Sequence, residues 1–306
     1  MGDPEAGAVE EQRRRGVTRR RLLLGTGAAL GLGAAGLVAV DREVLPGRSL
    51  LYRTLQHDGT DGVVPDVTPG PSVTGSFASA ARGTTVGWTI ARPPGAPRRL
   101  PVVVVLHGRG GTHATPFRAG HLALDRFLAA AVADGVPPFA LASVDGGDAY
   151  WHDRADGDRC EAMVLEEFLP LLDEQGLDIR RIGFFGWSMG GFGSLHLTHV
   201  LGADRVAGVA VMSPALFRAY ADTTPGSYDG AADFDRVTVM RQQATFADIP
   251  LRVDCGVSDP FYAADREYVA GFADPPAGGF EPGGHTVGYW RRIAPYALEH
   301  LGRALA

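Results

Sequence analysis

Arg181-Ile182-Gly183-Phe184-Phe185-Gly186-Trp187-Ser188-Met189-Gly190-Gly191 decides how this chain is read. It begins as a short apolar run, passes through the pattern G-x-S-x-G, and leads into residues 191–201, which have helical character. A serine in that setting stands on a strained turn between a buried strand and a helix, its hydroxyl projecting above the sheet. The flanking glycines have a steric cause, because such a turn presses backbone against backbone and leaves no room for a Cβ. In a chain with 42 glycines the bare pentapeptide arises by chance about one time in five, so its surroundings must carry the weight.

Outward from this turn, the sequence from about residue 76 alternates short apolar runs with helical stretches. That alternation is the mark of an α/β fold, a mostly parallel sheet covered by helices. Pro101-Val102-Val103-Val104-Val105-Leu106 is uncharged, β-branched and too short for a helix, so it reads as a strand buried on both faces. Further strands are expected at 139–144, 181–185, 206–212 and 251–255, and helices near 121–134, 160–174, 191–201 and 288–303. Residues 214–250 form a polar, aromatic-spotted insertion, expected as a partial cap over the site.

Composition excludes whole classes of chemistry. All 29 cationic side chains are arginine, and without lysine there is no Walker A phosphate loop, Schiff-base amine or Ser-x-x-Lys acylase. A net charge of −6 argues against nucleic acid as a partner. Before the expected catalytic domain, 76–306, come two segments of different character. Residues 1–40 carry Thr18-Arg19-Arg20-Arg21-Leu22-Leu23-Leu24 and then a Gly-, Ala- and Leu-rich stretch, which resembles a twin-arginine export signal. The span from Leu22 to Val40 is also long enough to remain as a membrane anchor, so secretion and membrane association both stay open. Residues 41–75, rich in Pro, Gly and Thr, read as a linker or loosely packed arm. Cys160 and Cys255 are the only cysteines; outside the membrane they are free to bond, or they are two independent buried thiols.

A serine hydroxyl becomes a good nucleophile only when a histidine takes its proton, and that histidine needs a carboxylate to fix its tautomer. With Ser188 as nucleophile, the histidines that follow a later strand end are His285, in a Gly-rich loop, and His300, inside the last helix. His285 is the expected general base. Asp259 lies just beyond the strand at 251–255 and is the expected acid, ahead of Asp254 within that strand and Asp265 in the next helix. An oxyanion hole needs two N–H groups aimed at the developing charge. Met189 N–H is one; Arg109 N–H, in His107-Gly108-Arg109-Gly110-Gly111 after the Val-rich strand, is the other, with Gly110 as its alternative. Trp187, Trp151 and His107 are candidate substrate contacts, with Trp290 completing an aromatic wall, while His196-x-x-His199 has metal-like spacing without a third ligand.

Together His107–Gly111, Gly186–Gly191, Gly256–Asp259 and Gly283–His285 resemble the α/β-hydrolase superfamily, in its esterase-D-like branch with mycolyltransferases and feruloyl esterases. The resemblance spans about residues 78–303 and departs from the usual oxyanion loop at Arg109. It implies a Ser-His-Asp acyl-enzyme mechanism without metal or organic cofactor, acting on a small-molecule or cell-envelope ester. An exported carboxylic-ester hydrolase is the leading expectation. An acyltransferase to a sugar or lipid hydroxyl would share every catalytic residue, and a non-catalytic binding protein on the same fold would not need them.

Overall fold

Successive residues of the strand Pro101–Leu106 face two different cores. Val102, Val104 and Leu106 belong to one apolar cluster, Val103 and Val105 to the other, and all five are inaccessible to solvent. The same alternation carries Phe184 and Phe185, and Val209 and Ala210, to opposite faces of the sheet. Period-two geometry with both faces covered is what turns a parallel strand into a continuous hydrophobic run. Each such valine contributes about 1.5–3 kcal/mol when fully buried.

The computed structural model describes Leu51, Thr54 and residues 58–306. Its eight strands are β1 (Ser72–Ser79), β2 (Thr84–Ala91), β3 (Pro101–Leu106), β4 (Ala140–Val144), β5 (Asp178–Trp187), β6 (Val206–Met212), β7 (Leu251–Gly256) and β8 (Ala277–Glu281). They form one sheet in the order β1-β2-β4-β3-β5-β6-β7-β8. The first two strands pair antiparallel with each other, and β2 pairs antiparallel with β4. All remaining pairs are parallel. One face is covered by α1 (Leu124–Ala133) and α6 (Val287–Ala304). The other carries α2 (160–174, with a π-helical stretch at Met163–Phe168), α3 (Met189–Leu201) and α5 (Tyr262–Ala270).

The insertion at 214–250 holds α4 (Ala231–Val237) and short 3-10 turns at Tyr220–Asp222 and Gln243–Phe246. Its aromatic residues Phe217, Tyr228, Phe234 and Phe246 are buried in the core of the α3 face, so much of it is packed structure. His152 ties it down, with one ring nitrogen 3.1 Å from the Ser227 carbonyl and its ring stacked on Tyr228.

One expected boundary requires correction. Residues 72–75, expected in the loose arm, belong to β1, and 58–71 are held against the body: Gly62 N–H donates to Gly288 O and the Arg126 guanidinium to Val67 O. Cys160 and Cys255 are both free and buried; burial pushes the Cys160 thiol up to about 12. The export or anchor segment, 1–40, lies outside the described residues. No helix of the described residues is long and apolar enough to cross a membrane.

Candidate active site

Four loops at the C-terminal ends of parallel strands build the site, following β3, β5, β7 and β8. Ser188 lies between β5 and α3 with φ 55° and ψ −126°, a conformation costly for any residue with a Cβ. The strain is held from both sides. Ser188 N–H donates to Met212 O at 3.1 Å, and Ser188 O accepts from Phe192 and Ala215 N–H. The glycines are there for close approach: a Cβ on Gly186 would overlap the Gly190 carbonyl, and one on Gly190 would overlap the Leu106 carbonyl. The helix therefore begins at Met189, two residues earlier than composition implies.

His285 Nε2 is 2.9 Å from Ser188 Oγ, and its Nδ1 is 2.8 Å from Asp259 Oδ2. An ionised carboxylate only accepts, so Nδ1 carries the proton and Nε2 is left to accept from the serine hydroxyl. Asp259 has a fully buried side chain, and its other oxygen accepts from Phe261 N–H at 2.9 Å. The two loops are joined by an extension of the β7–β8 ladder, with Val257 N–H donating to Glu281 O and Ser258 N–H to Gly283 O. This extension sets Asp259 and His285 at matching heights. Directly after His285, Thr286 caps α6 by accepting from Tyr289 N–H.

The competing residues are placed elsewhere. His300 sits within α6. Asp254 is held by the Arg252 guanidinium at 2.7 and 2.8 Å, and burial still pushes its pKa up to about 6. Asp265 is fully buried in α5, and neither carboxyl oxygen makes a hydrogen bond, although the Cys255 thiol lies nearby. Burial, reinforced by the Asp259 carboxylate, pushes the Asp265 pKa well above the usual carboxylate range. A carboxyl protonated in the fold and ionised when unfolded gives stability that is complete at acid pH. That stability is lost as pH rises, by about 1.4 kcal/mol per unit. Asp265→Asn, neutral throughout, is expected to lose this dependence. Its Tm relative to the parent should climb as pH rises above the ordinary carboxylate range; a constant offset would mean that the Asp265 pKa is not raised in the fold.

The oxyanion loop passes directly over the serine, since a Cβ on Gly108 would lie 3.4 Å from Ser188 Cβ. Gly110 N–H is committed to Asp148 Oδ1 at 2.7 Å, which removes the alternative donor and keeps Arg109 N–H, with Met189 N–H at the start of α3, as the candidate pair for a developing oxyanion.

The proposed substrate contacts come out differently. His107 is inaccessible to solvent: its Nδ1–H donates to Gly108 O at 2.8 Å and its Nε2 accepts from Gly146 N–H at 3.0 Å. Burial pushes its pKa down, so the neutral ring braces the loop from beneath. Trp151 is equally buried, its ring where a Cβ on Gly146 or Gly193 would fall and its Nε1 donating to His107 O. Trp187 and Trp290 are 2 % and 6 % exposed and pack against each other, and Trp290 meets the His285 ring in a T-shaped contact with centroids 4.9 Å apart. These side chains are buried and support the site from behind.

Sequence reasoning missed the rings packed around the base. Phe261 packs on His285 at 5.3 Å between ring centroids and Phe217 packs on Phe261 at 5.6 Å, which sets an aromatic pair beside the base. His121 lies 5.4 Å from the Trp187 ring. Only the position of Phe261, two residues after the acid, could have signalled its place. The His196–His199 pair diverges, His196 to Glu161 at 2.6 Å and His199 to the Thr245 hydroxyl at 2.7 Å.

No family model and no curated protein matches the sequence. Solved structures do match. A ferulic acid esterase shares 19% identity with a TM-score of 0.66, covering 78% of this chain and 100% of its own. An S-formylglutathione hydrolase from Agrobacterium tumefaciens shares 17% at a TM-score of 0.65, over 81% of this chain and 100% of its own. The S-formylglutathione hydrolase of Staphylococcus aureus shares 16% at 0.60, over 76% and 98% respectively. At these identities the likeness is one of architecture: this chain has the α/β-hydrolase fold that these esterases share.

Proposed function

We propose that the protein is a serine carboxylic-ester hydrolase working through an acyl-enzyme on Ser188. The observation that carries this reading is the continuous chain from Ser188 Oγ to His285 to Asp259, at 2.9 and 2.8 Å. A binding protein that had abandoned catalysis would have no use for that chain or for the strained serine at its head.

In this mechanism Ser188 Oγ attacks the ester carbonyl while its proton passes to His285 Nε2. Asp259 holds Nδ1–H and stabilises the imidazolium, and Arg109 and Met189 N–H receive the oxyanion. Collapse breaks the bond to the alkoxide, which leaves with the proton from His285. Water then repeats the sequence on the acyl-enzyme, with His285 as base, and releases the acid. A sugar or lipid hydroxyl in place of that water would make the same machinery an acyltransferase. Export by the twin-arginine segment within 1–40 would set this chemistry outside the cytoplasmic membrane, either secreted or anchored there.

Product analysis with p-nitrophenyl butyrate, with and without trehalose as an acceptor, tests the assignment. Butyric acid as the main product in both reactions is the expected outcome. A butyryl sugar as the main product when trehalose is present would assign acyl transfer instead, and release of no p-nitrophenol at all would overturn both.

A further inference from the structure

We propose that Arg109 makes this site selective for esters bearing an anionic group, such as a carboxylate or phosphate, a few bonds from the scissile carbonyl. The inference rests on the esterase reading above and adds the substrate class. Arg109 immediately follows Gly108, where a Cβ would lie 3.4 Å from Ser188 Cβ, so its side chain leaves the backbone next to the nucleophile's turn. It is solvent-exposed and reaches toward the insertion, where its one hydrogen bond, to Pro225 O, is long at 3.4 Å. Among the described residues no carboxylate lies within ion-pair distance of it. Arg154, which binds the same insertion, is by contrast saturated by Asp229 at 2.8 Å and by the Gly226 and Ser227 carbonyls.

A guanidinium has five donors in a planar fork that matches a carboxylate or phosphate, and here that fork is almost unused. Asp148, on the neighbouring loop, accepts from Gly110 N–H through Oδ1 and forms no ion pair with Arg109. A neutral acyl or alcohol group gains nothing from Arg109, whereas an anionic one gains a charge-assisted contact in the transition state as well as in binding.

The test compares two acyl groups of equal length, p-nitrophenyl butyrate and mono-p-nitrophenyl succinate, by the ratio of their kcat/KM values at low salt. The parent enzyme is expected to favour the succinate by about tenfold, from one charge pair at the protein surface. Arg109→Gln should bring the ratio to about one, and Arg109→Lys should restore part of it. A merely structural role for Arg109 would lower both rates together and leave the ratio alone; an unchanged ratio overturns the proposal. If neither ester is turned over, the esterase reading fails. Arg109 is then judged separately by calorimetric titration with monomethyl succinate and methyl butyrate. Tighter binding of the anion that disappears in Arg109→Gln supports the proposal, and equal binding overturns it.

Discussion

Ser188→Ala and His285→Ala are each expected to lower kcat for an activated ester by about a million-fold, and the double variant by no more than either alone. The reason is geometric. The serine hydroxyl sits 2.9 Å from Nε2, and neither group does useful chemistry without the other. An alanine at 188 leaves the imidazole with nothing to deprotonate, while an alanine at 285 leaves a hydroxyl of ordinary acidity. Residual hydrolysis over background, about a thousand-fold, should survive in both because the backbone donors remain. His300→Ala provides the contrast, since that ring sits in α6 and should leave the rate within about a factor of two. Steady-state kinetics of the four proteins checks this. Additive losses in the double variant would mean that the two residues act independently.

Asp259→Asn carries the second large effect, a fall of about ten thousand-fold in kcat with the fold retained. The amide keeps the volume of the carboxylate, and its oxygen can still accept from Phe261 N–H. It no longer demands a proton on Nδ1. When the amide NH₂ faces the ring, the imidazole takes the other tautomer, and Nε2–H then points at a serine that needs an acceptor. The same substitution at Asp254 separates the two carboxylates. That residue is engaged by Arg252 within β7, so Asp254→Asn should act on stability and spare the turnover of folded enzyme. Rates normalised to folded protein by circular dichroism make the comparison. Similar losses at both positions would contradict the role of Asp259 as orienter.

Much of the fold was legible because buried parallel strands advertise themselves. Val206–Met212 coincides with the expected strand to the residue, since every position in it is covered on one face or the other. The edges were not legible, for the opposite reason. β1 exposes most of its residues, and β8 is Ala-Gly-Gly-Phe-Glu, with neither alternation nor β-branching; pairing with β7 alone makes it a strand. The identity of the triad residues could be read from chain order and from their place after strand ends. Their alignment could not, because it depends on β8 and on the Val257 and Ser258 bonds that extend its ladder. The aromatic residues misled for a related reason. A tryptophan after a strand end signals bulk, but its direction depends on backbone. Trp151, at φ 60°, folds back onto the nearby Gly146 and the distant Gly193, and those two glycines were the only trace of that packing in the sequence.

Labelling with a fluorophosphonate probe separates a working nucleophile from a well-placed but idle serine. The chemistry needs the same proton transfer to His285 and the same two N–H donors as ester cleavage. Mass spectrometry of the labelled protein is expected to show one adduct on the peptide containing Ser188, absent in Ser188→Ala and strongly slowed in His285→Ala. No adduct on the parent protein, or one undiminished in Ser188→Ala, would contradict catalysis through this serine.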